Sequence, residues 1–466
     1  MREGGAERSG SRRRAGWSSG PAEAIGGRPS VPIGGRPSVP TGGRPSVPTG
    51  GLRGYHGAVT SDPGPAPAPR VRRPACMIVH AYYEEDPRVR REAEALVASG
   101  RPVDVFALRR PGDAPTDAIA GVRLTRLPVQ RHQGAGIGTY LVEYLLFFAR
   151  AMFAATAANR RRHYALVQVH TLPDFLVFAG LPMRLAGVPL VLDLHEAMPE
   201  FFRSRFPAAA GPVPHALLRA QESLATAAAD AVVTVNDALG DRLLDLGLPP
   251  EKLTVILNAP SLALFDRTRH PERAFRADGS LCLVYTGAVT PIYELETVLE
   301  ALAALAGVRP DLDPHLDIYG RGDDAGALAA RARALGIDDR VVLHGRIPLD
   351  DVPAAIAAAD LGLAPTRRDR FTDFSLSTKL FEYAAMGKPV VASRLPTVER
   401  YFSPDTVATY TSGDAADLAR VVARLADDPL EREARVARTH IRVEELGWDR
   451  EGARYVALID RLAADG

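Results

Sequence analysis

Residues 371–393 read FTDFSLSTKLFEYAAMGKPVVAS. The spacing predicts a helix over about 378–386, with Ser375 or Ser377 as its N-cap and Gly387 closing its C-terminus. Pro389 then starts a short β-branched strand. A helix feeding at once into a fully apolar strand is the unit of a parallel α/β sheet. The stretch also holds two of only three lysines in a chain with 54 arginines, Lys379 and Lys388. Lys379 falls in the first helical turn, where its charge opposes the helix dipole. A bound polyanion removes that conflict, since helix N-terminal N–H groups suit phosphate. Glu382, three residues on, is placed to accept hydrogen bonds from sugar hydroxyls. The alternative is a solvated Lys–Glu pair on an ordinary helix.

Outward from this stretch the same alternation recurs. The segments CMIVHAYY, VDVFAL, YALVQVH, LVLDLH, AVVTVN and LTVILN read as strands between 76 and 258, separated by helical patterns such as DPRVRREAEALVASG. A Pro-, Arg- and Asp-rich lapse at 259–280 reads as a linker. A second series follows: LCLVYTG (281–287), HLDIYGRG, RVVLHG, LGLAP and PVVAS. The expected fold is therefore α/β, with two tandem Rossmann-like domains and a cleft between them. The expected boundaries are a tail at 1–74, domains at 75–262 and 263–444, and a C-terminal helix at 445–466. That helix carries Tyr455, Leu458, Ile459 and Leu462 on one stripe and is expected to pack back across the domains.

Composition narrows the function. Residues 1–75 carry 12 Arg against 4 acids, so the formal charge of +1 for the whole leaves −7 for the remainder. An acidic body excludes bulk nucleic-acid binding. GGRPSVP occurs three times, at 26–32, 34–40 and 42–48. Such a Gly/Pro/Arg-rich segment buries too little apolar surface to order itself, so the tail is expected to be disordered. Met77 leaves open a native start near residue 77, which N-terminal mass analysis distinguishes. Two cysteines, Cys76 and Cys282, exclude a disulfide scaffold and suit a reducing cytoplasm. The most apolar stretch, 137–158, is interrupted by Glu143 and Arg150, which argues against a membrane span. With RRRH (160–163) and FFRSRFP (201–207) it suits either an anionic lipid surface or a core helix with a lid loop.

Several strand ends carry chemistry. VLDLHEAMPE (191–200) sets Asp193 and His195 on one side of a strand end, and QVHTLPDF adds His170 and Asp174 from another. These are expected to line the cleft or contact an acceptor. They lack metal-ligand spacing such as H-x-x-x-H, so no metal is expected. Arg88 and Arg91 face either the cleft mouth or a solvated side with Arg–Glu pairs, the first reading fitting Arg88 better and the second Arg91. YGRGDDAG (319–326) is an imperfect dinucleotide fingerprint and reads instead as a strand-to-helix turn, with Arg321 available to an anion. HGRIP (344–348) ends a strand at Gly345, which permits close backbone approach.

The order and spacing of GIDDRVVLHGRIPLDDVPAAIAAADLGLAP (336–365), STKLFEYAAMGKPVVAS, VLDLHEAMPE and WDREGARYVALIDRL resemble the retaining glycosyltransferases of family 4, with the two-domain GT-B fold, over roughly 75–466. The resemblance implies a UDP- or GDP-type nucleotide-diphosphate sugar as co-substrate, with no cofactor and no metal. It places the diphosphate at the helix starting near Ser377, with Thr378, Lys379 and Gly287 beside it. Glu382 would hold the ribose, and the nucleobase would lie against Arg346 and Ile347. His195 matches the histidine that faces the donor sugar. The family's E-x7-E pair is broken, because Phe374 stands eight residues before Glu382; Asp373, one residue off, is the expected substitute. The usual basic residues after the first strand of the second half are missing from TGAVTPIYELE, leaving Arg321 or Arg370 to supply charge. The Gly-Gly loop after the first strand is replaced by AYYEEDPRV. A sugar or lipid-linked acceptor, polysaccharide or glycolipid synthesis, and a cytoplasmic site with peripheral membrane contact complete the expectation. The alternatives are a nucleotide-sugar epimerase of the same fold and a non-catalytic GT-B subunit.

Overall fold

The computed structural model describes residues 72–131 and 136–464. The tail expected to be disordered lies outside them, apart from 72–74. The first sheet contains β1 (Ala75–Val79), β2 (Val103–Leu108), β3 (Thr116–Ile119), β4 (Val122–Leu127), β5 (Leu166–His170), β6 (Leu190–Leu194), β7 (Ala231–Thr234) and β8 (Leu253–Val255). Their spatial order is β3-β4-β2-β1-β5-β6-β7-β8, and every pair is parallel except β3–β4. The second sheet contains β9 (Leu281–Thr286), β10 (Pro314–Tyr319), β11 (Val341–Gly345), β12 (Leu361–Ala364), β13 (Val390–Ser393) and β14 (Ala408–Tyr410). It is wholly parallel, in the order β11-β10-β9-β12-β13-β14.

The central strands are buried from end to end, as in β1, β5 and β6. This explains why they read as unbroken apolar runs rather than alternating ones: helices cover both faces. Each sheet reverses its order of addition once, between β1 and β5 and between β9 and β12. Ligands in such sheets bind at that switch point, outside the strands' carboxyl ends. Sequence reading missed the β3–β4 hairpin. β3 is largely exposed, and its turn is two residues, Ala120 and Gly121, with φ of +50° and +80°. That turn type suits a hairpin's twist but is usually signalled by Asn-Gly or Asp-Gly, so Ala-Gly gave no warning.

The carboxyl ends of the two sheets are tied to each other. Glu85, after β1, accepts from Arg346, after β11, at 2.9 Å. On the helix Met198–Arg205, Ser204 donates to Asp369 at 2.7 Å, Arg205 pairs with Asp323 at 3.3 Å, and Phe201 meets Phe371 edge-on at 5.3 Å. Asn236, after β7, donates to the Phe374 carbonyl at 2.8 Å. Phe201, Ser204 and Arg205 of FFRSRFP thus bridge the two halves.

Helix α1 (Pro87–Ala98) packs on the first sheet and is in turn covered by the C-terminal helix Trp448–Ala464. Trp448, Tyr455, Leu458 and Ile459 join the cluster of β1, β2 and α1 side chains that includes Val89, Ala93 and Leu96. The long helix α2 (Ile137–Arg162) buries Phe147, Ala151 and Ala155 in the other core layer. Its Glu143 turns inward to His80, 3.0 Å away, with both side chains almost fully buried. By length and hydropathy alone α2 could cross a membrane, but this inward face belongs to the domain core. Its opposite face leaves Leu141, Val142, Leu145, Leu146 and Phe153 exposed.

Ile459 is fully buried far along the sequence from the strands it covers. Ile459→Ala is expected to destabilise the protein by about 2–5 kcal/mol, read as a lower denaturant midpoint. An unchanged midpoint would show that the helix does not hold the first domain together.

Candidate active site

In the first half the site is built on one carboxylate. Asp193, the fourth residue of β6, is fully buried. Arg88 of α1 grips it with two hydrogen bonds, Nε at 3.0 Å and Nη2 at 2.8 Å, and donates a third to the Ile256 carbonyl at 3.0 Å. His170 Nδ1 and His195 Nε2 each lie 3.0 Å from Asp193 Oδ2. Glu92, one helical turn beyond Arg88, pairs with it at 3.1 Å and accepts from Gln168 at 2.7 Å. Tyr455 of the C-terminal helix donates to Gln168 at 2.6 Å. The cluster is thus a continuous buried network that ends on His195, its one partly exposed member, with 17% of the side chain accessible.

The electrostatics follow. Burial opposes the charge on Asp193, but Arg88 and then the two histidines hold its carboxyl well below the usual range. Burial also works against charge on His195, yet the Asp193 carboxylate raises its pKa above the usual imidazole value. Burial lifts Glu92 to about 7, with Arg88 opposing. His170, Asp193 and His195 bring three ligand-type atoms within 4.8 Å of one another. The Arg88 guanidinium already occupies both Asp193 oxygens, so an added cation would meet a like charge there.

Four expectations for this half need correction. Arg88 does not reach the cleft mouth or solvent; it is 2% exposed and structural to Asp193. His170 is fully buried behind His195 and does not line the cleft. Asp174 is also fully buried, since it opens a turn of 3-10 helix whose Leu176, Val177 and Ala179 enter the core. Burial, then the nearby Glu222, raises its carboxyl well above the usual value. Arg91 is partly buried and pairs with no Glu of its helix: it bonds Asn258 and lies over Trp448, and burial followed by the neighbouring Arg88 charge lowers its pKa to about 10.

In the second half the loops after β9, β10 and β11 are pressed backbone to backbone. Gly287 donates to Tyr319, Val289 to Arg321, and Gly320 to Gly345, all at 2.8–3.0 Å. A Cβ on Gly320 would stand 1.7 Å from the Gly287 carbonyl oxygen, and one on Gly322 would stand 1.9 Å from that of Val289. The glycines of YGRGDDAG thus serve loop packing. Gly345 has open space around it and is needed for its φ of +72°.

Lys379 lies over this platform. Its Nζ is 4.2 Å from the Tyr293 ring centre and 5.2 Å from that of Tyr285. Its side chain passes so close to Gly287, whose φ is +144°, that a Cβ there would meet Lys379 Cε at 2.6 Å. Among the described residues no carboxylate pairs with Lys379; the ammonium is held by aromatic faces at the switch point between β9 and β12. The helix it opens, Lys379–Ala385, is shorter than expected, and neither Ser377 nor Thr378 caps it through a side chain. Burial raises the Glu382 carboxyl, with Lys379 pulling the other way. Asp373 bonds Arg368 at 3.1 Å and touches neither Lys379 nor Glu382. Phe374 packs under Arg242 of the first half, 5.8 Å from its ring centre. Arg321 and Arg370 are exposed, Ile347 is half-buried, and Arg346 spends its charge on Glu85.

Two α/β sheets facing each other at their carboxyl ends, one presenting a carboxylate-held histidine and the other an unpaired lysine on a glycine platform, define a GT-B glycosyltransferase. Residues 86–259 match the glycosyl transferase 4-like domain, and residues 281–428 match the glycosyl transferases group 1 domain. The chain belongs to the family-4 glycosyltransferases, and it is an enzyme that transfers a sugar from a nucleotide-sugar donor. It is 28% identical over 397 residues to the D-inositol 3-phosphate glycosyltransferase of Thermomonospora curvata, covering 79% of this chain and 87% of that protein. The sucrose-phosphate synthase of Thermosynechococcus elongatus superposes with a TM-score of 0.67 at 18% identity, covering 84% of this chain and 100% of that one. Anabaena HepE in complex with UDP-glucose superposes at 0.61 and 14% identity, covering 83% and 99%. Both halves match transferase domains, which disfavours the epimerase and non-catalytic readings.

Because Asp193 raises the His195 pKa, their contact adds stability below the unfolded-state value of about 6.5 and loses it as pH rises through the folded-state value. His195→Gln should therefore cost more unfolding free energy at about pH 5.5 than at about pH 9. A pH-independent cost in urea titrations would contradict the Asp193–His195 coupling.

Proposed function

We propose that the cleft carries out retaining transfer from a UDP- or GDP-linked sugar, without a metal, to a sugar or lipid-linked acceptor in polysaccharide or glycolipid synthesis on the cytoplasmic side of a membrane. The observation that carries this reading is Lys379, an ammonium without a carboxylate salt bridge among the described residues, held by two aromatic rings over Gly287 at the sheet's switch point.

As the glycosidic bond breaks, negative charge builds on the leaving diphosphate. A fixed ammonium in a partly desolvated site stabilises that charge without reorganising. A compact Lys charge suits a diphosphate that must later depart. Lys379 takes this role, with the Gly287 backbone, Ser377 and Thr378 beside it. Glu382 accepts from the ribose hydroxyls, and the base lies by Arg346 and Ile347. His195 faces the sugar from the other half, its ring fixed by Asp193. Asp373 is the candidate for the sugar contact left open by Phe374, which requires Arg368 to release it.

The exposed apolar face of α2 supports the membrane reading. Leu141, Val142, Leu145 and Phe153 are each at least half exposed, and Arg160 and Arg161 are exposed at the helix C-terminus. An apolar stripe with basic residues at one end suits an anionic bilayer surface. Both cysteines are free, which suits a reducing compartment.

Lys379→Ala is expected to lower turnover about 10²–10³-fold while the protein stays folded. Near-normal turnover in that variant would sink the assignment. Leu145→Glu with Phe153→Glu should reduce flotation with phosphatidylglycerol vesicles and leave UDP or GDP binding unchanged. Undiminished flotation would remove α2 as the membrane face.

A further inference from the structure

The second lysine of the opening stretch, Lys388, has no part in the donor site. It lies beyond the far end of the helix that Lys379 begins, just before β13. It is 3% exposed, and burial lowers its pKa. Its nearest carboxylate oxygen belongs to Glu272, 3.9 Å away on a side chain that is 56% exposed, beyond hydrogen-bonding distance. A buried ammonium so poorly compensated costs stability unless something else meets its charge.

Lys388 lines a pocket of about 560 Å³, within the range of small-molecule sites. The pocket lies beside Ala359, Asp360 and Pro389, at the amino ends of β12 and β13 and thus at the opposite edge of the sheet from the nucleotide-sugar site. Phe275, Val436 and Ile441 give it apolar wall, and three carboxylates, Glu272, Asp360 and Glu433, also line it; Asp360 is taken up by Arg273 and by the Arg276 and Cys282 N–H groups. Two of its arginines are already engaged: Arg273 with Asp278 and Asp360, and Arg432 with the Leu425 and Ala426 carbonyls and the Phe275 ring. Arg267 is not. Its guanidinium lies against Gly387, where a Cβ would meet it at 2.9 Å, and it has no carboxylate partner among the described residues. Among the described residues, Lys388 and Arg267 are therefore the two cations lining this pocket that have no hydrogen-bonded carboxylate.

We propose that this pocket is a second ligand site, which binds an organic anion, a phosphate or carboxylate on an apolar body, through Lys388 and Arg267. The proposal is independent of the reading of the transfer site.

Thermal unfolding of the whole protein with phenyl phosphate tests it, because a ligand of the folded state raises Tm as ln(1 + [L]/Kd). Phenyl phosphate at about 10 mM should raise Tm equally in the wild type and in Lys379→Gln, and by less than half as much in Lys388→Met and Arg267→Gln. Inorganic phosphate should shift Tm less than phenyl phosphate, since it leaves the apolar walls unfilled. No shift in the wild type would overturn the proposal. So would a shift lost in Lys379→Gln but kept in Lys388→Met, which would place the anion in the donor site. An equal effect of inorganic phosphate would overturn the apolar-body requirement. Arg267 is exposed, so its variant remains a folded test should Lys388→Met not fold.

Discussion

The buried ion pair between Arg88 and Asp193 is the constraint on which the first half depends. Asp193 cannot keep its charge inside a sheet unless that charge is met, and Arg88 meets it with two hydrogen bonds while a third fixes the chain just after β8. Glu92 then balances Arg88, Gln168 satisfies Glu92, and Tyr455 satisfies Gln168. Each link exists because the preceding group would otherwise be an uncompensated buried polar atom. The chain of contacts joins α1, β5, β6 and the C-terminal helix, and it delivers one outcome to the cleft: an imidazole whose orientation and charge are set from below.

The second half solves a different problem. The diphosphate site proposed here needs a positive charge free of a carboxylate salt bridge. A lysine among acids would collapse into a salt bridge. Tyr285 and Tyr293 hold the ammonium of Lys379 by their faces, which leaves its charge uncancelled. Room for the side chain comes from Gly287, and the loops around Gly287 close-pack only because Gly320 and Gly322 lack side chains. The lysine platform and the backbone packing are thus one arrangement. The two halves work together because strand-end loops of each reach the other, through Arg346 to Glu85, Asn236 to Phe374 and Ser204 to Asp369.

Much of this was legible before any coordinates. Apolar runs such as VDVFAL and LVLDL announced buried parallel strands because both faces are covered, and the repeated helix–strand alternation announced two sheets. Short or exposed strands escaped, as β3 and β14 did, since neither a solvent-facing edge nor a three-residue strand leaves an apolar run. At the site, Lys379 stood out by composition and dipole, and Asp193 with His195 stood out by their two-residue spacing on one strand face. Arg88, His170 and Asp174 were misplaced because polar residues near strand ends were read as cleft-facing. Whether such a residue points up into the cleft or down into the core is not a property of its local spacing.

The sequence by itself determined the fold class, the alternation of the apolar core strands with helices, and the placing of Lys379 and Glu382 one helical turn apart. These depend on local periodicity and short-range spacing, which the chain carries in every window. Only the tertiary structure decided that Arg88 lies beneath Asp193 instead of at the cleft mouth, that Lys379 rests on two tyrosines some ninety residues away, and that Phe374 turns to the other half. Burial and partner choice there are settled by contacts between residues distant in sequence, and the energy of a charge depends on which of those contacts surrounds it.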